Sequence, residues 1–161
     1  NTICELPQAQ DLVEITLQTA EIAKSIGYKP RIAMISFSNF GNPIREKSLR
    51  IRESIEILDK MNVDFEYDGE MSAEVALSPS LLKLYPFCRL SDAANVLIMP
   101  NLSSANIATQ MLNRLTDGTL IGPILSELSS PAQIVHMRAA SQEVVMAVAF
   151  SAIEAIKSKS K

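Results

Sequence analysis

Three polar clusters in this sequence, and one isolated histidine, have residue types that could do chemistry. Asn101-Leu102-Ser103-Ser104 follows the apolar run 94–99, which Pro100 closes, and precedes apolar positions at helical spacing. Free N–H groups at such a helix start can hold an anion. Ser103, Ser104 and Asn106 are also ordinary capping residues, so capping alone is the competing reading. Ser38-Asn39-Phe40-Gly41-Asn42-Pro43 has turn chemistry throughout and leaves the apolar run 31–37. In a parallel sheet that is the edge where ligands bind, although a plain turn has the same composition. Asp68-Gly69-Glu70 places two carboxylates close together. Acid–base work or a metal would suit them, but no third ligand stands nearby at helical spacing except Glu74, so turn formation before a helix at 72–77 is the expectation. His136, the one histidine, admits a catalytic role or a hydrogen-bonded place at a domain boundary.

The elements that must carry these clusters follow from apolar periodicity. Helices are expected over 11–26, 44–61, 72–77, 80–85, from Ala105 to Leu115, and over 141–157. Gly27 and Pro30 close the first of them. Strands are expected at 3–6, 31–37, 63–67, 94–99, 120–125 and 134–137. Pro123 within the fifth calls for a strand end or a bulge. Strands and helices alternate, which predicts an α/β domain with a mainly parallel sheet and helices on both faces. The mixed-sign face Arg45, Glu46, Lys47, Arg50, Arg52, Glu53 and Glu56 reads as a solvated surface. Glu143 suits the first turn of the terminal helix, and the lysines of 157–161 suit its end.

Composition narrows the function classes. The chain has 161 residues, 47% of them hydrophobic, enough for one compact domain with a real core. A net charge of −3 without a basic block, no Trp and 5% aromatics argue against nucleic acid as a partner. No apolar run approaches the roughly 20 residues of a membrane span. Cys4 and Cys88 with one histidine make neither a disulfide framework nor a zinc site, which favours a reducing cytoplasm. There is no G-x-G-x-x-G, P-loop or nucleophile elbow. The opening at Asn1, running directly into a helix, reads as a piece of a longer protein.

Taken together, IGYKPRIAM, ISFSNFGN, DGEMSAEVAL, ANVLIMPNLSSANIATQMLNRL and IGPILSELSSP resemble the phosphate acetyltransferase and butyryltransferase family. The resemblance covers the whole chain but only about the C-terminal half of the family's two-domain unit. SFSNFGN, YDGEMSAEVAL, YPFCRL and PAQIVHM are most similar to the acetyltransferase-like domain at the C-terminus of the large bacterial NADP-dependent malic enzymes. The resemblance implies a three-layer α/β sandwich with a mainly parallel sheet, of the isocitrate and isopropylmalate dehydrogenase kind. It also implies residues 1–161 as the C-terminal part of such a domain, with 141–161 as a terminal helix. The parent chain would turn malate into pyruvate and carbon dioxide with NADP and Mg or Mn, in the cytoplasm. This part would hold none of those cofactors.

The resemblance also implies a ligand pocket and its departures. Counting from Pro131, the family's Ser-Arg pair falls on His136 and Met137, and its Asp on Glu143. Met137 cannot supply bidentate donors. Arg114 keeps an anion-binding arginine, and Arg138 stands one position from the lost one. The implied role is a regulatory and oligomerisation domain, at least dimeric, that binds acetyl-CoA or a related CoA ester without catalysis of its own. Its expected contacts are Ser38, Asn39, Ser104, Asn106, Arg114, His136 and Arg138. An active transferase moving acetyl between CoA and phosphate is the alternative, and a dimerisation module without ligand is a third reading.

Overall fold

The computed structural model describes residues 4–43, 46–126 and 128–159. They divide into two compact units, 1–106 and 107–161.

The first unit is an α/β layer structure around three parallel strands, β1 (Arg31–Ile35), β2 (Glu66–Met71) and β3 (Val96–Ile98), in the order β2-β1-β3. β1 is central and buried from Ile32 to Ile35, as a strand covered on both faces must be. Helices α1 (Ala9–Ser25) and α2 (Glu46–Asp59) cover one face. Leu12, Val13, Ile51, Ile55 and Leu58 pack there against Ile32, Met34 and Val96. On the other face Ala33, Ile35 and Met71 meet Val75, Ala76 and Leu82 of the short helices α3 (Ala73–Leu77) and α4 (Pro79–Leu82).

Local chemistry sets the element ends. Gln8 N donates to Asp11 Oδ2 at 2.8 Å, starting α1 two residues before the expected position. Ser72 Oγ accepts from Val75 N, and Ser78 Oγ from Leu81 N, so each short helix has a serine cap. β2 begins three residues after the start of the expected 63–67 and ends four residues beyond it. Asp68-Gly69-Glu70 therefore lies inside a strand and is not the turn after one. The register explains this: Met34 pairs with Gly69 and Ile35 with Met71, leaving Glu70 as the extra residue of a bulge. Cys4, Glu5 and Leu6 are not in a strand. Ile3 of that expected strand and Ile44 of the expected second helix lie outside the described residues.

The second unit contains most of α5 (Leu102–Leu115), which crosses the division, and α6 (Ser141–Lys159). α5 begins before the expected Ala105, because Asn101 Oδ1 accepts from Ser104 N at 2.8 Å and caps it. The expected polar turn is thus the first turn of the helix. Strands expected at 120–125 and 134–137 do not form among the described residues. Instead the side-chain amide of Gln133 takes both backbone groups of Leu125, accepting from its N–H and donating to its carbonyl at 2.9 Å each. A side chain has replaced the ladder partner, and Pro123 could not have donated to one. Phe150 is buried, whereas α5 buries no residue.

Candidate ligand site

The three parallel strands of the first unit deliver their following loops to one edge. Residues 36–43 leave β1, Ser72 leaves β2, and Asn101 lies beyond the end of β3. Ser36 N donates to Met71 O at 2.9 Å, tying the first two together. This is the edge at which an open parallel sheet presents polar groups to ligands.

The loop after β1 is held from below. Glu70, 0% exposed, accepts through Oε1 from Ser38 Oγ at 3.0 Å and Gly41 N at 2.9 Å. Phe40 N donates to the Glu70 carbonyl at 2.7 Å, and Asn39 Oδ1 accepts from Ser72 N at 2.7 Å. Phe40 and Gly41 both have positive φ, 49° and 88°. Phe40 packs tilted against Tyr85 and edge-to-face with Phe87, at centroid distances of 5.1 and 5.0 Å. Two of the residues expected at a ligand, Ser38 and Asn39, thus spend these groups on the fold. Ser38 is 1% exposed with its proton on Glu70, and Asn39 uses its carbonyl oxygen on Ser72.

Ser104 and Asn106 stand in the first turns of α5. Ser104 gives both its N–H and its hydroxyl to Asn101 Oδ1, and Asn106 is exposed. Beside them a cavity of about 180 Å³ is lined by Pro7, Ile15, Thr19, Leu97, Met99 and Asn101. Its wall is largely apolar.

A second cluster, not foreseen from the residues, fastens segment 83–92 to β2. Arg89 N donates to Asp68 Oδ2 at 2.7 Å, its guanidinium pairs with Asp59, and it lies over the Tyr67 ring. Burial and the hydrogen bond to Asp59 push the Tyr67 phenol up to about 12. The Tyr67 bond holds Asp59 below the usual carboxylate range, and burial pushes the Cys88 thiol up to about 11. Glu66 accepts from Ser91 N and Oγ at 2.8 Å each, with Lys29 at 3.3 Å, and these bonds lower it too. Alternation marked 63–67 as a strand, but nothing in the spacing linked it to Arg89 or Ser91. Among the described residues no His, Cys, Asp and Glu group is arranged for a metal.

The remaining expected contacts come together in the second unit. Arg114, His136 and Arg138 line one cavity of about 400 Å³, whose wall also includes Pro123, Glu143 and Phe150. Three elements place them: the last turn of α5, the turn closed by Ala139 N on the His136 carbonyl at 2.9 Å, and the start of α6. Glu143 Oε2 accepts from Ala140 N at 3.1 Å, which turns that carboxylate back to the helix start. With two guanidinium groups and one carboxylate in the lining, the balance favours an anion, arginine offering forked donors to phosphate or carboxylate. Met137, which lies between His136 and Arg138, is fully exposed.

Comparisons with known proteins agree with this architecture. A probable NADP-dependent malic enzyme of Rickettsia prowazekii is 50% identical over 98% of the chain, which spans 22% of that protein. A phosphate acetyltransferase of Treponema pallidum is 32% identical over 92% of the chain, spanning 45% of that protein. A solved phosphotransacetylase from Streptococcus pyogenes superposes with a TM-score of 0.89 at 33% identity, covering 96% of this chain and 47% of that one. The chain therefore spans about a fifth to a half of the length of these relatives. No helix of the described residues is long and apolar enough to cross a membrane. The family model described as phosphate acetyl/butaryl transferase matches residues 2–152, and the chain belongs to that family.

Proposed function

We infer that this chain is an acetyl-CoA-responsive regulatory and oligomerisation domain of an NADP-dependent malic enzyme, with no transferase activity of its own. The observation that carries the reading is the cavity that gathers Arg114, His136 and Arg138. It keeps cationic donors for a phosphate or a thioester oxygen. The exposed Met137 beside them has none to offer a transferring acetyl phosphate. Malate oxidation with NADP and Mg or Mn belongs to the rest of the parent chain, in the cytoplasm. A ligand bound here acts on that distant site through a coupling free energy.

Assembly fits the same reading. On α5, Ile107, Met111, Leu112 and Leu115 are 55–76% exposed at helical spacing. An apolar stripe of that kind is what an interface buries. The test is calorimetric titration of acetyl-CoA, followed by addition of phosphate. Saturable heat with no release of CoA is expected. Absence of binding to the folded protein would overturn the effector role and leave assembly.

The likeness to phosphotransacetylases favours a second reading, an active transferase moving acetyl between CoA and phosphate. Steady CoA release from acetyl-CoA and phosphate would establish it in place of the first.

A further inference from the structure

Residues 120–124 line the cavity of the second unit as one continuous wall. Gln133, His136 and Arg138 line it from the segment that follows. Neither segment is a strand, so no backbone ladder sets their spacing.

Gln133 sets it instead. Its Oε1 accepts from Leu125 N and its Nε2 donates to Leu125 O, at 2.9 Å each. Nε2 also donates to Glu154 Oε2 of α6 at 3.1 Å. The same helix contributes Glu143 and Phe150 to the cavity. One half-buried side chain thus ties together three of the segments that form the wall. Among the described residues, the backbone of 120–125 makes no hydrogen bonds except these two from Leu125. An amide side chain has two N–H donors, and both of these are used inside the fold. Gln133 therefore stands in the lining with no donor left for an anion.

We propose that Gln133 is a positioning residue for the ligand of this cavity. It clasps the 120–125 wall to the segment that carries His136 and Arg138, and it donates no bond to the ligand. The role rests on the reading of that cavity as a CoA-ester site. Forked donors bind well only when held near one geometry, so the ligand needs the clasp closed. Clasp and ligand are then linked in both directions. Opening the clasp weakens the ligand, and the ligand keeps the clasp closed.

The test is hydrogen exchange of the Leu125 amide, followed by NMR on the full chain. It is measured alone and with acetyl-CoA at about 100 times its Kd. Leu125 N–H, held by one side chain, should exchange by local opening, faster than the core amides of β1. Acetyl-CoA should slow it about tenfold or more. Equal rates with and without saturating ligand would overturn the proposal, because a ligand indifferent to the clasp cannot shift it. Gln133→Met keeps the length of the side chain and removes all three bonds. Calorimetry should find acetyl-CoA bound about tenfold more weakly by this variant. Equal affinity in the two folded proteins would also overturn the proposal. Failure of the wild type to bind acetyl-CoA is a different result: it removes the reading of the cavity, and the positioning role with it. The exchange measurement uses the unaltered protein, so it decides the matter even if Gln133→Met fails to fold.

Discussion

A Cβ placed on Gly69 would stand 2.8 Å from both the Cβ and the carbonyl oxygen of Met34. β1 and β2 approach each other here, at the bulge that sets Glu70 out of register. Met34 is fully buried in the core, so neither partner can yield cheaply. Gly69→Ala should therefore destabilise the chain by about 1–3 kcal/mol, the usual cost of overpacking. Urea unfolding measures this, and an unchanged midpoint would mean that the strands separate without penalty.

Arg114→Ala tests the cavity of the second unit. Arg114 is exposed, so melting should stay where it is. Acetyl-CoA affinity should fall by about 1–3 kcal/mol, the scale of a lost charge-assisted hydrogen bond. Calorimetry on the two proteins decides it, and equal affinities would remove Arg114 from the site.

How much of this was legible in the sequence depended on whether the signal was local. β1 was readable because Ile32, Ala33, Met34 and Ile35 form one apolar run, and α3 because Ser72 precedes its own helix. The end of β2 was not. Asp68-Gly69-Glu70 reads as a turn by composition, and only pairing with β1 makes it a strand. The missing strands at 120–125 and 134–137 failed for the converse reason, since apolar runs there found a glutamine side chain in place of a backbone partner. Ser38 and Glu70 are 32 residues apart, so no spacing rule links them. Arg114, His136 and Arg138 came through the family resemblance, and the fold lines one cavity with all three.

Glu66 makes stability depend on acid. The Ser91 N–H, the Ser91 hydroxyl and Lys29 favour its ionised form, holding it below its ordinary 4.5. A carboxyl depressed in the folded state contributes its stability above the unfolded value and loses it as pH falls through the folded one. That contribution should be complete above about pH 4.5 and fade below it, together with those of Asp59 and Asp64, which are also lowered. Glu66→Gln should lose about 1 kcal/mol at pH 7, the worth of a typical hydrogen bond, and show a flatter decline in acid. Chemical denaturation at pH 7 and pH 3.5 checks it, and parallel losses in both proteins would show that Glu66 carries no part of the acid response.

Cys88 should be an unreactive thiol. It is half-buried, and burial, the leading cause, pushes it from 9.0 up to about 11, with the nearby Asp68 carboxylate adding to the rise. Only the thiolate attacks an alkylating reagent. At pH 8 a shift of that size leaves about a hundredfold less thiolate than an ordinary cysteine has. Iodoacetamide labelling followed by mass spectrometry should find Cys88 largely unmodified at pH 8, with its rate climbing steeply toward pH 11. Asp68→Asn should raise the rate at pH 8, because it removes a negative charge that opposes the thiolate. It should also weaken the hold on the Arg89 amide. Rapid labelling of Cys88 at pH 8 in the folded wild type would mean that segment 83–92 opens far more often than its bonds to Asp68 and Glu66 imply.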